Sequence, residues 1–108
     1  MIKLAGIQAS CSEEKERNIE KAVRFTKIAI EKGAHIICFQ ELFTTHWFPR
    51  EMNNLHFSLA EKVDGPTIGT MQKLAKEYGV VLICPIFEIE GDVFYNSAIV
   101  IDAGGEVL

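Results

Sequence analysis

Two amphipathic stretches, each ended by a glycine and followed at once by a short, uniformly apolar run, limit this chain to very few folds. The first has Ile19, Ala22, Val23, Thr26, Ala29 and Ile30 at three- to four-residue intervals, with Glu16, Glu20, Arg24, Lys27 and Glu31 on the other side. That spacing predicts a helix of about 20 residues, roughly 30 Å long, ended by Gly33 as a C′ glycine. The run Ala34–Phe39, with Ile36, Ile37, Cys38 and Phe39, is too short and too evenly apolar for a surface helix, and it reads as a strand covered on both faces. The second stretch starts at Asp64-Gly65-Pro66, with Pro66 suited to the first helical position. Its stripe is Ile68, Met71, Leu74, Ala75 and Tyr78, and Gly79 closes it before the strand Val80–Phe87. A buried strand over Lys3–Gln8 precedes the first helix, completing a βαβ unit. The fold class is therefore α/β.

Finer signals follow from the same residues. Ser10 and Glu13 have capping-box spacing, and Ser12 is an alternative N-cap with Glu13 and Glu14 in the favourable first turn. Pro85 inside an apolar strand points to an edge position or a bulge. Glu90-Gly91-Asp92 is a turn, and Val93–Ile101 alternates as a strand returning antiparallel. After the Ala103-Gly104-Gly105 turn, 106–108 opens another strand, which reads as part of a longer domain. Residues 40–64 show no period but are rich in aromatics. A loop this long inside a domain is more often functional than idle, and it has room for a short helix.

Composition narrows the function. With 11 Lys+Arg against 15 Asp+Glu in 108 residues, the net charge of −4 and the lack of a basic run argue against nucleic-acid or anionic-membrane partners. No apolar run approaches the ~20 residues that span a bilayer. The start Met1-Ile2-Lys3-Leu4 passes straight into strand-like sequence with no secretory leader, so a cytoplasmic location is expected. Three cysteines without a CxxC give neither a disulfide framework nor a zinc site. The loop after the first strand lacks GxGxxG, and Gly104-Gly105 lacks a following helix, so no dinucleotide or phosphate loop is present.

Glu41 stands out. It lies two positions beyond the strand Ile36–Phe39, where ligands of open α/β sheets gather, flanked by Phe39, Leu42, Phe43 and Trp47. Apolar neighbours would partly desolvate a carboxylate and fit it as a general base; a solvated glutamate at a strand end has the same spacing. His46, beside Trp47 and near Glu41, suits either a substrate pocket or loop packing. Cys11 lies before a helix, where a thiolate is favoured, but Glu13 and Glu14 oppose that and no histidine adjoins, so it reads as a packed residue. Cys38 and Cys84 read as core, and His35 and His56 as surface or satisfied histidines.

Taken together these pieces resemble the nitrilase, or carbon–nitrogen hydrolase, superfamily, specifically its N-terminal portion. The matching elements are Leu4-Ala5-Gly6-Ile7-Gln8, Asn18-Ile19, Lys32-Gly33-Ala34-His35-Ile36-Ile37, Gln40-Glu41-Leu42-Phe43, Gly65-Pro66-Thr67, Tyr95-Asn96-Ser97 and Ile101-Asp102-Ala103-Gly104-Gly105. The resemblance implies an α-β-β-α sandwich, present here as its N-terminal part with two helices and four to five strands, residues 1–108 being one portion of a single domain. It implies a homo-oligomer in which helices of two subunits stack, no cofactor, and a small-molecule amide or N-carbamoyl substrate. It also implies a Glu–Lys–Cys triad in which Glu41 matches the catalytic glutamate. The triad lysine and cysteine would lie beyond Leu108, since Lys62, Lys73 and Lys76 lack the required context, so these residues alone should not hydrolyse amides. Within the superfamily the chain looks most like the N-carbamoyl amidohydrolases, with His46, Trp47 and Phe48 shaping the acyl pocket. The competing reading is a non-catalytic α/β module that binds a partner through its unpaired sheet edge or its helix faces.

Overall fold

The computed structural model describes residues 1–51 and 53–108. The chain runs β1 (Leu4–Ile7), α1 (Lys15–Glu31), β2 (Ile36–Phe39), two short 3-10 turns (Phe48–Arg50 and Asn54–Leu59), α2 (Pro66–Tyr78), β3 (Val81–Glu90) and β4 (Val93–Ile101). The strands form one sheet in the order β1-β2-β3-β4; the first three are parallel and β4 is antiparallel to β3. The helices pack side by side, α1 on β1 and β2, α2 on β3 and β4.

Alternation along the strands decides what lies inside. Ile37 and Phe39, then Leu82, Cys84 and Ile86, then Ile99 and Ile101 are buried and join Ala22, Ile68, Met71, Leu74 and Ala75 in one core. The opposite face carries exposed Leu4, Gly6, Cys38 and Ala98 beside half-buried Ile36, Ile83 and Val100, and it is uncovered among the described residues. The expectations of a buried first strand, a second strand covered on both faces and a buried Cys38 therefore fail. These runs are apolar on both sides, but residues 1–108 supply only the helical layer. No helix among the described residues is long and apolar enough to cross a membrane.

The helix ends follow the glycines: Gly33 at φ +90 and Gly79 at φ +65 adopt the left-handed conformation that costs glycine least. The N-terminal expectations for α1 do not hold. Its N-cap is Glu14, which makes no side-chain cap bond. Ser12 Oγ accepts from the Glu14 N–H (3.2 Å), and Lys21 Nζ reaches the Ser10 carbonyl (2.7 Å), so both serines shape the loop instead. Tyr78, expected on the apolar stripe, is 40% exposed.

Pro85 sits in an interior strand, away from either edge, paired with Ala98 in an antiparallel register that no bulge interrupts. Backbone groups of Val81, Pro85 and Phe87 turn toward the β2 side, where Val81 N–H meets His35 O, Phe43 N–H meets Pro85 O, and Glu61 N–H meets Phe87 O. The parallel ladder with β2 stops at Ile83, so the donor that proline lacks would face the place where β2 has already ended. The opening of a strand at 106–108 amounts to a bridge, Ile101 to Val107.

One partly buried ion pair ties the long loop to both helices. Glu61, its side chain 11% exposed, lies 3.0 Å from Lys15 Nζ, which also donates to Leu59 O (3.0 Å). The Glu61 carboxylate accepts from Thr67 Oγ1 and from the Thr67 N–H at the start of α2. Removing one partner strands a charge with little water around it. Lys15→Met is expected to lower unfolding stability by about 1–3 kcal/mol, measured by urea denaturation, and a change below 0.3 kcal/mol would show that solvent screens the pair.

Candidate active site

Parallel strands place their loops together at their carboxyl ends, and here two meet. Leaving β1, the chain runs through Gln8–Glu14; leaving β2, it enters a turn over 40–45. Leu42 lies in the left-handed region at φ +52, rare for a residue carrying a branched side chain. That reversal buries Leu42, Phe43, Thr44 and Thr45 in succession and leaves Glu41 exposed at the lip. Phe39 and Phe43 stack inside, ring centres 4.6 Å apart. Of the apolar neighbours named for Glu41, Phe39 and Phe43 turn into the core, whereas Leu42 and Trp47 line the same cleft as Glu41.

Between the two loops lies a cleft of about 450 Å³ lined by Cys11, Gln40, Glu41, His46, Trp47 and Glu51, among others. All three candidate site residues, Glu41, His46 and Trp47, thus line one cavity. Trp47 is 48% exposed. His46 packs edge-on to His56, with ring centres 5.4 Å apart. Phe48 does not join them: it packs on Phe87 (5.0 Å) and lines a separate cavity of about 350 Å³ with His56 and Phe57. Nor is His56 satisfied among the described residues, where its buried Nδ1 has no partner. His35 is exposed, as expected, and its Nδ1 accepts from the Lys3 N–H at 2.9 Å.

Cys11 closes the cleft's inner wall as a clasp. Its thiol donates to Phe43 O (3.1 Å), and Gln40 Nε2 donates to Ala9 O (2.9 Å) and lies 3.5 Å from Cys11 Sγ. Burial raises the Cys11 thiol above its ordinary range, partly opposed by Lys21 and by the Gln40 hydrogen bond. Cys11 is thus held as a neutral thiol, in keeping with a packing role. Cys84 is more extreme, pushed up to about 12 by burial and by neighbouring Cys38. A thiol raised in the native state stays neutral while the unfolded chain ionises, so its contribution, intact below about pH 9, is lost as pH climbs toward 12. Thermal unfolding of Cys84→Ala is expected to show a shallower decline between pH 9 and 11, the difference being on the order of 2 kcal/mol; parallel declines would contradict it.

The sequence reading gave no site role to Gln40, Arg50 and Glu51, which line the cleft, or to Asn18, which bonds to both loops that form it. Asn18 left a readable sign, since it falls in register with Ala22 and Thr26 on the buried side of α1. A carboxamide on an apolar stripe requires buried partners. No cluster of three His, Cys, Asp or Glu side chains suited to a metal ion occurs among the described residues.

The sheet, its helical layer and the cleft at the strand ends define an open α/β scaffold, and the comparisons with known proteins narrow it to one family. Residues 3–108 match the carbon-nitrogen hydrolase family, and the chain belongs to it. It is 39% identical over 106 residues to N-carbamoylputrescine amidase of Solanum lycopersicum, covering 97% of this chain and 35% of that protein. It is 33% identical over 108 residues to citrullinase of Francisella tularensis, covering 99% of this chain and 38% of that one. The crystal structure of a carbon-nitrogen hydrolase from Helicobacter pylori G27 superposes with a TM-score of 0.91 at 25% identity, over 98% of this chain and 37% of that one. The chain thus spans little more than a third of these relatives, and its two layers are the N-terminal part of the nitrilase-type fold.

Proposed function

We propose that the protein carrying this chain is a thiol-dependent amidohydrolase that cleaves a non-peptide C–N bond in an N-carbamoyl amine or a simple amide, with Glu41 as general base. Residues 1–108 form the N-terminal portion of its single catalytic domain. The observation that supports this most is the position of Glu41: a carboxylate at the carboxyl end of β2, on the lip of a cleft shared with His46 and Trp47.

An amide carbonyl is a weak electrophile, so a neutral thiol must lose its proton as it attacks. The Glu41 carboxylate takes that proton as the sulfur–carbon bond forms. A lysine ammonium stabilises the oxyanion. Collapse breaks the C–N bond, and the proton held by Glu41 passes to the departing ammonia. Glu41 then deprotonates a water that attacks the thioester, and the thiol leaves reprotonated. For a carbamoyl amine the released carbamic acid yields the amine and carbon dioxide. Thiol and ammonium come from outside residues 1–108, so this stretch alone is inactive. His46 and Trp47 flank the acyl group. Exposed Ile28 on α1 and Tyr78 on α2 suit a homo-oligomer in which helices of two copies stack.

Ammonia release by the full-length protein from N-carbamoylputrescine, N-carbamoyl-β-alanine, aliphatic amides and a nitrile tests the substrate class. A carbamoyl amine is expected to exceed the simple amides at least tenfold in kcat/KM. Turnover of the nitrile alone would contradict the proposal.

A further inference from the structure

We infer that Asn18, at the start of α1 and outside the cleft, is a positioning residue that holds the Glu41 turn in its working shape. The inference rests on the proposal that Glu41 is the base. Asn18 is 3% exposed, and its carboxamide is used at both ends. Oδ1 accepts from the Ser12 N–H (2.9 Å), and Nδ2 donates to Ser12 O (2.8 Å) and to Thr44 O (2.9 Å). One side chain on a regular helix therefore grips both loops that form the cleft.

That grip acts where the backbone is strained. A non-glycine residue in the left-handed region is strained and persists only where its surroundings over-determine it. Leu42, next to Glu41, is such a residue. Among the described residues the restraints around it are the Phe43 N–H to Pro85 O (3.3 Å), the Thr45 N–H (3.2 Å) and Thr45 Oγ1 (3.4 Å) to Leu42 O, the Cys11 thiol to Phe43 O, and Asn18 to Thr44 O. Of these, the Asn18 bond alone is made by a fully buried side chain fixed on a helix. A carboxylate at position 18 could not donate to Ser12 O and Thr44 O, and an alanine would leave both carbonyls without their donor. Once released, Leu42 can relax toward ordinary backbone angles, and that rotation re-aims the preceding residue, Glu41. A misplacement of about 1 Å at a reacting group is enough to cost on the order of 10²-fold in rate.

A double-mutant cycle on the full-length protein, with N-carbamoylputrescine as probe, tests this. Asn18→Ala is expected to lower kcat 10- to 100-fold with KM changed less than twofold, in protein that still melts well above the assay temperature. Added to Glu41→Gln, the same substitution is expected to cost less than a further twofold, because the base it positions is already gone. A wild-type kcat for Asn18→Ala, or an equal loss in both backgrounds, would overturn the inference by leaving Asn18 a purely structural role. Should Asn18→Ala fail to fold, Asn18→Asp keeps the shape and the acceptor for the Ser12 N–H while removing the donor to Thr44 O. It is expected to lower kcat at least tenfold in the native background and less than twofold in Glu41→Gln, and a wild-type kcat or equal losses would again overturn the inference. A nearly wild-type Glu41→Gln would instead sink the general-base proposal itself, and this inference with it.

Discussion

Glu41→Gln in the full-length protein is expected to lower turnover of N-carbamoylputrescine by about 10²–10⁴-fold, the range a positioned general base contributes. The substitution keeps the side chain's shape and its reach into the cleft while removing the group that accepts the thiol proton. Structure gives little reason for a folding defect: Glu41 is exposed and makes no side-chain hydrogen bond or ion pair among the described residues. Its unfolding midpoint should therefore stay close to the wild-type value, within about 0.5 kcal/mol of stability. Loss of activity with unchanged stability separates a chemical role from a structural one. Near-normal turnover by Glu41→Gln would remove Glu41 from the mechanism.

The largest stability effect is expected two residues further on. Phe43 is fully buried, stacks on Phe39, and its N–H is bonded to Pro85 O in the central strand. Phe43→Ala empties a ring-sized volume in a close-packed core, and such truncations cost about 3–5 kcal/mol. Domains of this size are stable by only about 5–15 kcal/mol in all, so urea denaturation should show the midpoint falling by a large fraction or the fold lost. Leu55→Ala, on an exposed 3-10 turn, is expected to change stability by less than about 0.5 kcal/mol. A comparable effect from both would mean that Phe43 does not anchor the turn to the core.

Much of the fold is legible in the sequence because its signals are local. Ile19, Ala22, Val23 and Thr26 set the inner face of α1; Ile68, Met71, Leu74 and Ala75 set that of α2; and Gly33 and Gly79 end the helices at left-handed positions. The β3–β4 hairpin follows from Gly91 and the alternation after it. What escapes the sequence depends on partners far along the chain. Hydrophobicity reports that Leu4, Ile36 and Cys38 suit burial, but not whether residues 1–108 contain the layer to cover them. Pro85 misleads because its tolerance depends on where β2 stops. Ser10 and Ser12 are spaced as caps, yet the stronger attraction is the Asn18 carboxamide, which claims the Ser12 backbone.

The candidate site is legible to a similar degree. Glu41, His46 and Trp47 share one cleft, and their proximity in sequence sufficed to group them. The split of the aromatics is not readable, because it turns on the left-handed angle at Leu42, a residue type that gives no signal for that conformation. That single reversal sends Phe43 into the core and Glu41 to the surface. Phe48 then packs on Phe87 of β3 and on His56.

A crystal structure of the full-length protein tests most directly whether this cleft is half of a catalytic centre. The Glu41 carboxylate is expected within hydrogen-bond reach, roughly 2.6–3.2 Å or through one water, of a lysine ammonium and a cysteine thiol contributed from outside residues 1–108. A Glu41 side chain turned to open solvent, with a different carboxylate beside that thiol, would contradict the account.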